Sequence, residues 1–222
     1  MVSVAIDGPA GAGKSTVAKG VSKNLGFIYV DTGALYRAIG VAAEQNNVDL
    51  ESKEDVKKFL NKTNVRLGFV DGEQRVFLND LDITNKIRTP KASMMASKVS
   101  AISEVRDFLF NLQRDIAKDN NVIMDGRDIG TVILPNADLK IFLIASPEER
   151  AQRRYRELLV NNSDIVYEEV LRDIKERDYN DSNRDVAPLV KADDAVEFDT
   201  TGLKLEESIE KIERLVRERV KW

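Results

Sequence analysis

Residues 8–15 read Gly-Pro-Ala-Gly-Ala-Gly-Lys-Ser and meet the spacing G-x-x-x-x-G-K-[ST] at every fixed position. Residue types in this order suit the binding of phosphate. The glycines let backbone N–H groups turn inward around phosphate oxygens, and a following helix N-terminus adds partial positive charge. A lysine at position 14 neutralises β and γ oxygens, and a hydroxyl at position 15 reaches a Mg²⁺ ion. Gly8, Pro9, Ala10, Gly11, Ala12, Gly13, Lys14, Ser15 and the adjoining Thr16 are therefore the candidate nucleotide-phosphate set. The loop alone specifies a bound nucleoside triphosphate, a property shared by switches, motors and phosphotransferases.

Other charged residues recur at spacings that point to a second anion. Asp31-Thr32-Gly33 is followed by Tyr36 and Arg37 one helical turn on. Asp125-Gly126-Arg127-Asp128 packs two carboxylates and an arginine beside a glycine, and Asp125 is placed to support Mg²⁺ through water. Arg150, Arg153 and Arg154 stand at i, i+3 and i+4, while Arg177, Asp181 and Arg184 stand at i, i+4 and i+7, so each trio shares a helix face. Solvated i,i+4 pairing is the bland alternative, and it suffices for Arg156 and Arg172. For the trios the charge of two bound nucleotides is the better account, since it exceeds what Lys14 and Mg²⁺ can offset.

The chain contains no cysteine and no histidine, which removes disulfides, Cys/His zinc sites, thiol nucleophiles and imidazole bases. Acidic residues (38) outnumber basic ones (34), so no global positive field would hold a nucleic acid polymer. A guanine-specific switch needs N-K-x-D, but Asn85-Lys86-Ile87-Arg88 ends in arginine where the carboxylate belongs. The D-x-x-G spacing from Asp199 to Gly202 follows it, in the wrong chain order.

These groups must be positioned by strands and helices. Apolar runs at residues 2–6, 27–30, 122–124, 139–145 and 195–198 read as buried strands, with helical patterns between them, including residues 14–25 and 34–46. Such alternation predicts an α/β fold with a parallel sheet flanked by helices. Ser146-Pro147-Glu148-Glu149 supplies an N-cap, a first-turn proline and a glutamate for a capping box, opening a helix to about residue 160. A terminal helix from Leu205 carries Leu205, Ile209, Ile212, Leu215, Val216 and Val220 on one stripe, as a docked helix would. Residues 65–83 break the alternation and read as short β segments joined by a turn at Asp71-Gly72. With 222 residues and 42% hydrophobic content, a single domain with a small insertion is expected. No run is long enough to span a bilayer, and no basic leader precedes Asp7, so a cytoplasmic location is expected.

Taken together the motifs resemble bacterial cytidylate kinases over almost the whole chain. The likeness lies in residues 6–15, in Asp31-Thr32-Gly33-Ala34-Leu35-Tyr36-Arg37, in Ile87-Arg88-Thr89 and in Asp125-Gly126-Arg127-Asp128-Ile129-Gly130-Thr131-Val132. It continues through Glu176-Arg177-Asp178 and Asn183-Arg184-Asp185-Val186-Ala187-Pro188-Leu189. Ser15 and Thr32 vary from the pattern but keep their hydroxyls. The resemblance implies a P-loop NTPase fold with a monophosphate-binding insertion at about residues 62–92 and a lid at about residues 150–165. It implies a monomer that uses ATP and Mg²⁺ to phosphorylate CMP or dCMP. It further implies that Arg37, Arg127 and Arg177 hold the acceptor phosphate, that Thr32 and Tyr36 line its site, and that Asp181 and Arg184 address the ribose. Ser97, Arg106 and Asp128 would read the cytosine edge. Arg154 would reach the transferring phosphate and Arg150 the ATP, leaving Lys14, Arg127, Arg154 and Arg177 as the catalytic set. Adenylate, thymidylate and shikimate kinases are the nearest rivals, and a nucleotide-dependent switch is the rival of another class.

Overall fold

The computed structural model describes residues 1–70, 73–160 and 164–221. Five strands form a parallel sheet: β1 (Ser3–Asp7), β2 (Ile28–Asp31), β6 (Val122–Gly126), β7 (Leu139–Ile144) and β8 (Val196–Asp199). Their order is β2-β6-β1-β7-β8. β1 lies between β6 and β7 with helices on both faces, and residues 4–7 are buried without alternation, as a central parallel strand requires. Register sets Asp7 opposite Gly126 and Asp31 opposite Asp125, so three carboxylates meet at the carboxyl ends of adjacent strands. Ligands of open α/β sheets bind at this edge.

Helix α1 (Lys14–Leu25) follows the glycine loop and ends on Gly26, whose φ of 71° supplies the left-handed turn. On one face of the sheet Val17, Ala18 and Val21 of α1 pack with Ile212 and Val216 of α8 (Leu205–Arg219) against Val4, Ile6 and Leu143. The two helices approach closely. A Cβ on Gly20 would stand 2.5 Å from Ile209 Cδ1. Leu205 departs from the expected stripe, being 41% exposed at the first turn of α8, on the rim of a cleft.

Between α2 (Thr32–Gln45) and β6 the chain builds a second body. It comprises α3 (Lys53–Leu60), an antiparallel sheet of β3 (Val65–Val70), β4 (Glu73–Leu78) and β5 (Leu81–Asp82), then α4 (Pro90–Ser100) and α5 (Ser103–Asp119). Its apolar side, including Val56, Val65, Val76 and Val99, packs on Leu35 and Ile39 of α2. The small sheet falls inside the insertion expected from sequence, while the Asp71-Gly72 turn lies outside the described residues. Gln74 of β4 fastens it to the main sheet: Oε1 accepts Asp31 N at 2.8 Å, and Nε2 donates to Asp31 O at 3.1 Å.

The remaining helices are α6 (Pro147–Leu159) and α7 (Tyr167–Asn183), which pack together through Ala151, Val170 and Ile174. Ser146 caps α6 by accepting Glu149 N at 3.2 Å. The expected reciprocal bond is replaced, because the Glu149 carboxylate accepts Arg153 Nε at 3.1 Å one turn on. The expected lid extends into residues 161–163, which lie outside the described residues. A π-helical turn, Ile129–Ile133, follows β6 and has no counterpart in the sequence reading.

Candidate active site

The loop after β1 turns on three glycines with positive φ: Gly8 (148°), Gly11 (75°) and Gly13 (91°). Gly8 is also fixed by space, since a Cβ there would stand 2.0 Å from Leu143 O. Lys14 is buried and folds back over the loop, donating Nζ to Pro9 O at 2.8 Å. Burial, followed by the Arg127 charge, holds its ammonium well below the usual lysine range, with Asp125 opposing and Arg177 adding to the depression. A loop that crowds cations in this way favours an anion beside them.

Ser15 Oγ donates to Asp125 Oδ2 at 2.9 Å, and Tyr29 OH donates to Oδ1 at 2.9 Å. Burial, then the neighbouring Asp31 carboxylate, push Asp125 up to about 6. Among the described residues no group of three or more Asp, Glu, His or Cys side chains forms a metal cage. An oxygen pair suits a hard cation that keeps waters and phosphate oxygens in its shell.

A cleft of about 620 Å³ runs from this loop toward α4, α5 and α7. It is lined by residues 10–16, Thr32, Tyr36, Arg37, Ser97, Arg106, Asp125, Arg127, Asp128, Arg154, Arg177, Asp181 and Arg184. Almost every residue singled out in the sequence thus meets one space. Asp31 ends β2 and caps α2, accepting Ala34 N at 2.9 Å, while Oδ2 accepts Arg37 Nη2 at 2.7 Å. Thr32 is buried, and its hydroxyl donates to Asp125 O at 2.8 Å, tying α2 to β6.

Asp181 organises the middle of the cleft. It accepts Arg127 Nε at 2.8 Å and Ser97 Oγ at 3.0 Å, and Arg177 Nε lies 4.0 Å from the same oxygen that binds Arg127. Burial opposes both charges of the pair. The charges of Arg127 and Arg177 nevertheless lower Asp181, and Asp181 raises Arg127. For Arg177 the balance goes the other way: burial, then the like charge of Arg127, bring it down to about 10 against the weaker pull of Asp181 and Asp178. The Nε atoms of Arg37 and Arg177 are buried without a hydrogen-bond acceptor. At the far end Asp128 pairs with Arg106, with Arg184 Nη2 at 3.5 Å. Arg106 also sits 5.7 Å from the centre of the Tyr36 ring, and Arg184 Nη1 donates to Ser100 Oγ at 2.8 Å.

Arg150, expected from sequence to meet ATP, bonds to protein and stands apart from the cleft. Its side chain is buried and its donors are taken by protein: Ala145 O at 2.9 Å, Ala10 O at 2.9 Å and Asp178 at 2.7 Å. It braces the glycine loop from beneath and does not line the cleft. Packing gives the reason, because Arg150 is buried beside Ala151 where α6 meets Asp178 of α7 and Ala10 of the glycine loop. From α6 both Arg153 and Arg154 line the cleft, and Arg153, a member of the trio given no individual role, donates to Thr200 O at 2.9 Å. Its i+3 spacing from Arg150 was visible, but nothing in sequence ranked one above the other.

A parallel sheet, a phosphate loop after β1 and a second cation cluster across the same cleft define a P-loop kinase. The family model for cytidylate kinase matches residues 4–218. A cytidylate kinase of Carboxydothermus hydrogenoformans is 51% identical over 213 residues, covering 96% of each chain. One of Caldicellulosiruptor bescii is 50% identical over 220 residues, covering 99% of this chain and 97% of that one. The chain belongs to the cytidylate kinase family. Among solved structures, an uncharacterised protein of Eubacterium ventriosum superposes with a TM-score of 0.57 at 11% identity, over 99% of this chain and all of that one, a likeness of fold.

Proposed function

We propose that the chain transfers the γ-phosphoryl group of ATP to CMP, and to dCMP, giving the diphosphate and ADP. The observation that carries this reading is the pair of buried guanidinium Nε atoms, on Arg37 and Arg177, that lack acceptors beside Lys14 and Arg127. An acceptor phosphate between them supplies the missing oxygens, and its charge offsets the like charges that depress Lys14 and Arg177.

ATP lies with its phosphates in residues 8–16, and Arg153 and Arg154 approach from α6. Arg37, Arg127 and Arg177 clamp the acceptor phosphate, Asp181 and Arg184 face the ribose, and Ser97, Arg106 and Asp128 meet the cytosine edge. Ser15, with Asp125 through water, would hold Mg²⁺. When bound, that ion neutralises charge on the β and γ oxygens. No general base is needed, because the acceptor oxygen is already anionic at neutral pH. Catalysis then consists of alignment and charge stabilisation by Lys14 and the arginines. A chain without histidine is sufficient for this chemistry.

The small sheet and α6 would close over the two nucleotides and exclude water, which otherwise competes as acceptor. The protein acts as a cytoplasmic monomer. An ADP-release assay over all nucleoside monophosphates tests the reading. The expected result is turnover with CMP and dCMP far above UMP, AMP, GMP and dTMP. ADP release with no phosphorylated acceptor would instead mark a nucleotide-dependent switch.

A further inference from the structure

Asp7 ends β1 immediately before the glycine loop and is buried, yet its carboxylate does not face that loop. Oδ1 accepts Ile129 N at 2.8 Å and Oδ2 accepts Gly130 N at 2.7 Å. These N–H groups open the π-helical turn, in which Ile133 N and Leu134 N reach back five residues to Asp128 O at 3.2 Å and Ile129 O at 2.6 Å. Single π turns are uncommon, and the first N–H groups of any helical turn lack partners within it.

Asp128 holds the N-cap position, where an aspartate ordinarily bonds those N–H groups itself. Here its side chain makes no cap bond and turns instead to Arg106 and Arg184. A carboxylate from β1 has taken over the capping, which releases the one from the turn to face the cleft. The surroundings permit little slack. A Cβ on Gly126 would stand 2.6 Å from Ile129 Cδ1, and one on Gly130 would stand 3.1 Å from Lys140 Cδ and 3.4 Å from Asp7 Oδ2. The arrangement is held at a cost, since burial lifts Asp7 to about 6 against the two N–H bonds that lower it.

We propose that Asp7 is a positioning residue for acceptor recognition: by capping Ile129 and Gly130 it fixes residues 127–130, so that Asp128 faces Arg106 and Arg184 while Arg127 faces Asp181. The inference rests on the reading that Arg127 and Asp128 touch the acceptor nucleotide. Asp7 touches neither nucleotide itself.

The test is Asp7→Asn, which keeps shape and removes a buried charge but sets an amide against one of the two N–H donors. At saturating ATP, kcat/KM for CMP should fall about 10- to 100-fold, as for a displacement near 1 Å. The CMP preference over UMP should fall with it, while KM for ATP stays within about twofold of wild type. Asp128→Ala is measured alongside. If Asp128→Ala loses CMP selectivity and folded Asp7→Asn keeps it, the inference is overturned, as it is if Asp7→Asn raises KM for ATP and CMP equally. An Asp128→Ala enzyme with wild-type CMP kinetics overturns the underlying reading instead, and this inference with it. Should Asp7→Asn fail to fold, Asp7→Ser carries the same comparison, since it also buries no charge.

Discussion

Arg127 and Asp181 are joined by one hydrogen bond of 2.8 Å between the end of β6 and α7, and Arg177 stands 4.0 Å from the same carboxylate oxygen. One anion therefore separates two cations meant for a third party. Removing it in Asp181→Ala leaves both guanidinium groups facing each other. Stability should drop by about 3 to 5 kcal/mol, the usual cost of stranding a buried charge. Added CMP should recover part of the loss by supplying phosphate oxygens in place of the carboxylate. Thermal unfolding with and without CMP checks both effects.

Lys14→Ala removes the cation that folds over the glycine loop. The fold should persist, because Lys14 Nζ bonds a single carbonyl, while kcat falls by several orders of magnitude. Turnover near wild type, with an unaltered unfolding curve, would refute the role given to the loop.

Asp128→Ala addresses the choice of base. A carboxylate accepts from the N4 amino group of cytosine and is repelled by O4 of uracil. Without it the ratio of kcat/KM for CMP to that for UMP should collapse toward one, mainly through loss on CMP. Equal losses on both substrates would assign Asp128 to holding Arg106 and Arg184 alone.

Arg150 and Arg153 should separate cleanly. Arg153→Ala should raise KM for ATP with CMP kinetics preserved. Arg150→Ala should chiefly lower the melting temperature, since it strips two carbonyls and Asp178 of their partner. The opposite assignment of effects would return Arg150 to the nucleotide.

Asp125 gives a pH signature in the nucleotide-free protein. Its folded value of about 6 lies above the ordinary aspartate range near 3.9. Between those values the folded state binds the proton more tightly, so this group's contribution to stability falls as pH rises and levels off above about 6. Asp125→Asn cannot titrate there. The melting temperature of wild type minus that of the variant should therefore decline from pH 4 to pH 6 and stay constant beyond. A difference independent of pH would argue against the burial-driven shift.

What could be read from sequence was what neighbours in sequence determine. The glycine loop, its flanking strand and helix, the Ser146 cap and the five core strands rest on local spacing, and all appear within a residue or two of expectation. The cation groups on α6 and α7 were visible by spacing, but which arginine of a trio faces inward depends on how α6 packs on α7. Arg150 reaches Asp178 of α7 and Ala10 of the glycine loop, while Arg153 lines the cleft, a division that spacing alone does not carry. Asp7 was legible only as the residue that follows a strand, because its partners lie more than a hundred residues away. The π turn left no periodic signal, being a single turn held by a distant carboxylate.

Gln74 bears on how the molecule keeps company with copies of itself. β2 is the last strand on its side of the main sheet, and such a border offers free N–H and C=O groups to any passing extended chain. The Gln74 amide matches one donor and one acceptor to Asp31 and so imitates the rung of a further strand. Edge-to-edge aggregation is blocked at the end of β2 that borders the cleft. The plug is one side chain with two bonds and not a ladder, so the junction between the two sheets at Asp31 rests on a single residue.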